Sequence, residues 1–558
     1  MDISQVSNVF WDYIFVGGGL AASVVSHRLS QFNSSLKILL VEAGPNANDR
    51  ADIVWPNSTN LIGGDFDWKD RSVEQSHVDG RIIDLPSGKA LGGGTVINTA
   101  GWLRGDKTDY DLWGSVADDP RWSYDGLLPY MRKSEKLFND TLHPDQHGHD
   151  GPMVIQTSLS TNRTFPLREY ALQSWAELGI NPLPDFDSNW IHRLGVGDLQ
   201  ENRNQGKRQI ASVVYPLDGV TVLTDTLVEK VLIEKKAEHE DSVAYGIRLA
   251  SGTEIRGKEI ILAAGAIRTP QVLMLSGVGP ADELKKFGIP VLVENPDVGQ
   301  HLADHALFFH AWKVKDPAAG WTYGSPNPIF QEPQYGWGQP FDLIVCSDVD
   351  KKGLAAAIAE DEGATPDPST HPLLAKERVF FEHLFMYTGA TDGSLVTIGA
   401  ITMLPTARGS VTLASADIKD QPLIDPNYLG TAVDRYVIRE AIKAEVKFAG
   451  SDATVVGREI LDGEVGAPGF DGVLTTESTD EYIDARIRAG LGTSEHPMGT
   501  TAMGKVVDND LKVKGVKNLR VVDAGVFPVV ITGHLQVAVY ALAEQAAEII
   551  YAEHSKAT

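Results

Sequence analysis

At 558 residues the chain exceeds one ordinary domain, and its length fits two large lobes that need no disulfide to stabilise a core. Its 49 basic and 75 acidic side chains leave a net charge of −26, which excludes a charge-driven grip on nucleic acid and disfavours an anionic membrane surface. The one cysteine, Cys346, excludes an intrachain disulfide, a thiolate metal cluster and a CxxC redox pair.

In chain order, the first element is the β-branched and aromatic run Trp11 to Val16, which predicts a buried parallel strand. It flows into Gly17, Gly18, Gly19, Leu20, Ala21 and Ala22, then into a helical pattern with Val24, Val25 and Leu29 on one side. A second strand, Lys37 to Glu42, follows and runs into Ala43. This is the βαβ dinucleotide fingerprint in its expected context. Gly17 permits the tight turn, Gly19 lets the backbone approach a pyrophosphate, and Ala22 takes the small-residue position against the strand. The helix start offers free N–H groups to phosphate. Glu42 is placed to accept hydrogen bonds from an adenosine ribose, and its charge argues against the 2′-phosphate of NADP. These residues alone leave FAD and NAD open.

A strand this close to the start leaves no visible secretory leader, which reads as cytoplasmic. Glycosylation triplets at Asn33, Asn57, Asn139 and Asn162 point instead to secretion, and both observations fit a trimmed mature chain. The compartment stays open.

Three further segments bear on the cofactor. Gly88 to Asn98 is glycine-dense and contains Leu91, Gly93, Gly94 and Thr95; Ala100 and Arg104-Gly105 follow. Gly265 to Gly279 follows a predicted strand, Glu259 to Ala264. Near the end come His496-Pro497-Met498-Gly499-Thr500, Leu519 to Ala524 and Gly533-His534. With the N-terminal turn, these closely resemble the glucose–methanol–choline (GMC) family of FAD-dependent oxidoreductases, from about residue 11 to 551. His149 to Pro152, Val298 to His305, Arg408 to Val411 and Pro426 to Leu429 fall in register as further landmarks.

The resemblance implies an α/β plus α+β architecture. A Rossmann-like FAD domain (1–155, 205–308 and 490–558) is interleaved with a substrate domain (156–204 and 309–489) carrying a large antiparallel sheet. It also implies flavin contacts from the 88–98 loop, with Asn98 offering donor and acceptor to the ring edge or ribityl chain. Asp523 and Ala524 are expected near the pyrophosphate and ribityl region, and Val228 near adenine. Ile97 stands where some relatives carry a histidine that bonds FAD covalently, so a non-covalent flavin is expected.

His496 and His534 occupy the family's positions for the catalytic base and its partner. A neutral imidazole is a competent base near neutral pH, and removing a hydroxyl proton promotes hydride loss from the carbon. His496 is taken as principal base and His534 as the partner orienting the alkoxide, with shared or exchanged roles open. His143, Asp145, His147, His149 and Asp150 look metal-like, but no regular element fixes them, so no metal is expected. Asp304-His305 reads as structural. Gly492 to His496 lacks the closing glycine of a nucleophile elbow, and neither an HExxH zinc helix nor a Walker A loop occurs.

Trp321, Tyr323, Phe330, Tyr335, Trp337 and Phe341 read equally as a lid over the entrance or as anchors of a long loop. Glu495 either adds charge near substrate or serves a surface or backbone role, the latter preferred. Leu535 to Tyr551, carrying Gln536, Glu544, Gln545 and Glu548, reads as an amphipathic helix and not a membrane span. The expected reaction is oxidation of a primary aryl or furanic alcohol to the aldehyde, with electrons passing to O2. A dehydrogenase using quinone-type acceptors, and a non-redox lyase or cyclase on the same fold, are the alternatives. Oligomeric state is left open.

Overall fold

The computed structural model describes residues 3–54, 61–139, 141–235 and 241–557; Asn57 lies outside them. The strand Trp11–Val16 sits near the middle of the first sheet, with Ile14 and Phe15 fully buried. It runs parallel to Ile38–Val41 on one side, aligning Tyr13 to Val16 with Ile38 to Val41. On the other side it runs parallel to Glu254–Leu262, pairing Val16 with Leu262. Val220–Leu223 extends the parallel edge beyond Ile38–Val41. Strands Val228–Glu234 and Ser242–Leu249 then continue the sheet antiparallel.

The strand Glu254–Leu262 is longer than its sequence suggested, and its two halves have different partners. Its first half pairs with Ser242–Leu249, and its last three residues pair in parallel with Leu519–Val521. The far end of the chain thus closes the sheet that the beginning opens. The C-terminal ends of these parallel strands converge, as in other open α/β sheets, to leave a crevice where a ligand binds.

Helix Gly265–Leu275 follows directly and tolerates an internal proline, Pro270. Proline removes the N–H that would have bonded the carbonyl four residues back, at Ala266. The Thr500 hydroxyl donates to that carbonyl at 2.6 Å. A gap in one helix is thereby filled from the segment that carries His496.

The second sheet has eight strands in the order 461–464, 306–314, 395–402, 381–389, 343–347, 195–198 and 182–187, with 492–493 beside 306–314. All pairings are antiparallel except that between Pro182–Asp187 and Gly195–Asp198. The short strand Gly492–Thr493 pairs with Ala306 and Leu307, so it belongs to this sheet although the expected boundaries put it with the first domain.

The C-terminal helix Gln536–Ala557 differs from the amphipathic element expected. Val537 through Ala547 are buried with hardly a break, and Glu544 is 0% exposed. The Glu544 carboxylate accepts from Arg28 at 2.7 Å and from the Tyr215 hydroxyl at 3.0 Å, and pairs with Lys133 at 3.1 Å. Those partners come from distant segments, which is why the acid read as surface-facing in sequence. Among the described residues no helix is long and apolar enough to cross a membrane.

The six aromatic residues of 321–341 resolve as anchors. Tyr323, Phe330 and Tyr335 pack on one another, with Tyr323 and Phe330 ring centroids 4.7 Å apart, and Tyr323 and Tyr335 also pack on Phe165. Trp321 meets Tyr170 edge-on, and Trp337 covers Gly206. None of the six lines the central cavity described below.

Candidate active site

A cavity of about 350 Å³ opens where the strand ends converge. Gly17 turns the chain out of the first strand at φ +94°, and a Cβ there would lie 2.7 Å from the Ala263 carbonyl. Gly19 and Gly94 face open space: a Cβ on Gly19 would meet nothing nearer than 3.8 Å, and one on Gly94 nothing within 4 Å. Helix Leu20–Phe32 starts at Gly19 without a side-chain cap. Its first N–H groups therefore have no intrahelical partner, and Leu20 and Ala21 line the cavity. Free donors at the positive end of a helix, under bare glycine backbone, fit a pyrophosphate.

Glu42, Ala43, Gly93, Thr95, Ala100, Val228 and Ala524 also line this cavity, as the sequence reading requires of contact residues. Three others do not. Gly18 faces the side chains of Leu40 and Leu91, Leu91 is core, and Ala22 is fully buried in the helix. They shape the wall from behind.

Glu42 does more than wait for a ribose. Its two oxygens accept from the Gly18 and Gly44 N–H groups, each at 2.7 Å, which fastens the glycine turn. Burial pushes its carboxyl up to about 7 against those bonds. Asp523 works similarly: it accepts from Gly265 N at 3.0 Å, Thr269 Oγ1 at 2.6 Å and Gly525 N at 2.8 Å, and burial raises it to about 6. Asn98 Oδ1 accepts from Arg208 at 2.9 Å and from Ala100 N at 3.2 Å. With the oxygen so used, Asn98 turns its amide N–H groups, not its acceptor, to further partners.

At the other end of the cavity stand His496 and His534, ring centroids 5.0 Å apart. The segment bearing His496 lies antiparallel on residues 299–305, with Ser494 N bonded to His305 O and Met498 paired with Ala303. Asp304 pins it. One carboxylate oxygen accepts from His305 N and His496 N, and the other from Thr493 Oγ1 and the Tyr428 hydroxyl. Asp304-His305 is thus part of the site and not the bordering structural pair that sequence suggested. His305 Nδ1 lies 3.0 Å from His496 Nδ1, with the rings edge-on.

The electrostatics follow from these neighbours. Burial, reinforced by His534 and His305, holds the His496 imidazole well below its ordinary value, so it is neutral in the resting protein. Burial, then His534, pushes His305 down to about 3. His534 has a different partner. Its Nε2 lies 2.9 Å from Glu382 Oε1, on the strand Phe381–Gly389. Burial alone would raise the Glu382 carboxyl, but His534 and then Arg193 outweigh it, and the net shift is downward. Arg193 itself is fixed by the Ser188 and Thr532 carbonyls at 2.8 and 2.6 Å. A Cβ on Gly101 would lie 2.9 Å from His534 Nδ1, so the glycine makes room for the ring.

Sequence reasoning missed Glu382. Its signal was a Glu-His pair inside the apolar run Val379 to Phe385, where a charge needs a partner. The metal-like residues resolve otherwise. His147 lies between Glu135 Oε1 at 2.5 Å and Asp187 Oδ2 at 2.9 Å, and His143 pairs with Asp185. Among the described residues no group of three or more such side chains is arranged to hold a metal. Cys346 is buried, and burial pushes its thiol up to about 12.

A glycine turn and open helix start at one end of a cavity, with paired imidazoles at the other, define a dinucleotide-dependent redox enzyme. Family models described as GMC oxidoreductase match residues 11–307 and 405–543. A GMC-type oxidoreductase of Aspergillus aculeatus is 32% identical over 97% of this chain and 99% of its own length. Among solved structures, a mutated formate oxidase of Aspergillus oryzae superposes with a TM-score of 0.85 at 26% identity, covering 99% of both chains. Pyridoxine 4-oxidase of Mesorbium loti gives 0.79 at 26% identity, covering 97% of this chain and 99% of that one. The chain belongs to the GMC oxidoreductase family, whose members bind FAD and oxidise alcohols and other CH–OH donors.

Proposed function

We propose that the protein oxidises a primary aryl or furanic alcohol to its aldehyde and passes the electrons to O2. The observation that carries this reading is the imidazole pair facing the cavity, with His496 held neutral and His534 backed by a carboxylate. FAD, held by the Gly17–Ala21 turn, the 93–98 loop and Asp523-Ala524, supplies the hydride acceptor when bound.

His496 is ready to take the hydroxyl proton, because its neutral form is strongly favoured and its Nδ1 is occupied by His305, leaving Nε2 for substrate. His534 keeps its ring in place through Glu382. That contact favours the proton on Nε2 and fixes the ring's orientation beside a developing alkoxide. The low basicity of His496 at rest also means that acid does not disable it until well below the ordinary histidine range. The pyridoxine 4-oxidase likeness supports an aromatic alcohol. Ile97, which lines the cavity where a linking histidine would stand, supports a dissociable flavin.

Anaerobic rapid mixing of the holoprotein with aryl, furanic, aliphatic and sugar alcohols tests the reading. Bleaching of the flavin by aryl or furanic alcohols, reversed rapidly by O2, is expected. Bleaching that only a quinone reverses would make it a dehydrogenase. No bleaching by any alcohol would leave acid–base chemistry of the lyase or cyclase kind. Acid precipitation should release the flavin to the supernatant.

A further inference from the structure

Three carboxyl groups face the cavity: those of Glu42, Asp523 and Glu495. Glu42 accepts two backbone N–H groups, and Asp523 is satisfied by three donors. The Glu495 carboxyl receives no hydrogen bond and no ion pair among the described residues. It is the residue immediately before His496, and its exposed side chain lines the same cavity as that imidazole.

Its placement is imposed by the backbone. Glu495 adopts φ +56°, a left-handed conformation that is unfavourable for a residue with a Cβ. The conformation is held by Glu495 N donating to Thr493 Oγ1 at 2.7 Å, and by the Asp304 pin on either side of it. Strain that the surroundings over-determine is a pointer to function.

The charge around it has one sign. Enclosure by the cavity walls, reinforced by Asp304 and then Asp67, pushes the Glu495 carboxyl up to about 7, while the side chain itself stays exposed to the open cavity. Arg268 is the only Lys or Arg among the lining residues, and it is already committed, paired with Asp70 and stacked on Trp68 at 4.5 Å. The phosphates of a dinucleotide bring further negative charge. What the reacting end lacks is a cation with N–H donors.

We propose that Glu495 binds a protonated amine on the substrate, so that the preferred alcohols are amino-substituted aromatic alcohols. This assignment rests on the alcohol-oxidase reading above. An ammonium beside Glu495 would donate a charge-assisted hydrogen bond to its carboxylate, and the adjacent His496 would meet the hydroxyl of the same molecule.

The test compares 4-(aminomethyl)benzyl alcohol with 4-methylbenzyl alcohol on the holoenzyme. A ratio of kcat/KM of about 10- to 100-fold in favour of the amine is expected, collapsing toward unity in Glu495→Gln. Glu495→Asp should retain part of it. A ratio near or below unity in the wild type, or one unaltered in Glu495→Gln, overturns the proposal. Benzylamine, which has no hydroxyl to oxidise, separates this failure from that of the underlying reading. Its binding, followed by perturbation of the flavin spectrum, should weaken about 10- to 100-fold in Glu495→Gln even if neither alcohol bleaches the flavin. Equal binding to both proteins overturns the assignment. If the glutamine variant loses flavin, the wild type against Glu495→Asp carries the same comparison.

Discussion

Two histidines in this protein do opposite things. His147 sits between two carboxylates, Glu135 and Asp187, with an Arg104 nitrogen 2.7 Å from Glu135 and 3.4 Å from the His147 ring. Burial would lower its pKa, but Glu135 and Asp187 overcome burial, and the net shift is upward. His496 sits between two imidazoles, and burial and its neighbours act in the same direction, downward. One ring is a charged clamp joining the end of helix Tyr124–Ser134 to the strand Pro182–Asp187, and the other is a neutral base. The side chain is the same, although His147 is fully buried and His496 is half-buried at the cavity wall. Function is decided by whether the ring's partners are acids or other imidazoles.

The contrast can be broken most completely from the cofactor side. Gly19→Val should yield protein without flavin, since a branched side chain would occupy the open space at the helix start; flavin absorbance of the purified variant reads this directly. His496→Ala should keep its flavin and slow anaerobic reduction by about 10²- to 10⁴-fold, the usual weight of a general base. Unaltered reduction would remove His496 from the chemistry.

His147→Ala should leave the chemistry alone and cost stability instead. Removing one member of a buried charged cluster strands the others, at a cost of about 3–5 kcal/mol in denaturant unfolding. The two sites should then separate by pH. His147 has a raised folded value, so its contribution is fully present below the ordinary value of 6.5 and is lost as pH rises through the folded value. The gap between wild type and His147→Ala should therefore narrow in alkali. His496 has a depressed folded value, so its contribution is present above 6.5 and is lost as pH falls toward the folded value. Replacing it should flatten the acid limb of the stability curve. The smallest effect expected is that of Gly101→Ala, which pushes on the His534 ring without removing it. It should lower kcat several-fold with flavin content unaltered.

How much of this was legible in the sequence follows from where each partner lies in the chain. The first strand, glycine turn and helix are local, and their residues lie where the pattern put them. His496 and His534 were found by motif. Glu382, which holds His534, is 152 positions away from it, and His305, which meets His496, is 191 positions away. No periodicity encodes such pairings; only the fold brings them together. The aromatic residues of 321–341 could not be assigned for the same reason, because their partners Phe165 and Tyr170 belong to another segment. Glu495 shows the converse: its position beside His496 was plain, but only the left-handed backbone shows which way it faces.

The strand Glu254–Leu262 ends with a side that stays unpaired until Leu519–Val521 arrives, about 250 residues later. At roughly 5–20 residues per second on the ribosome, that wait is on the order of 10 to 50 s. The cavity wall runs from Val16 to Val539, so it is incomplete for nearly all of translation. Flavin loading is therefore a late event, and the nascent chain carries an unpaired parallel edge until its last strand emerges.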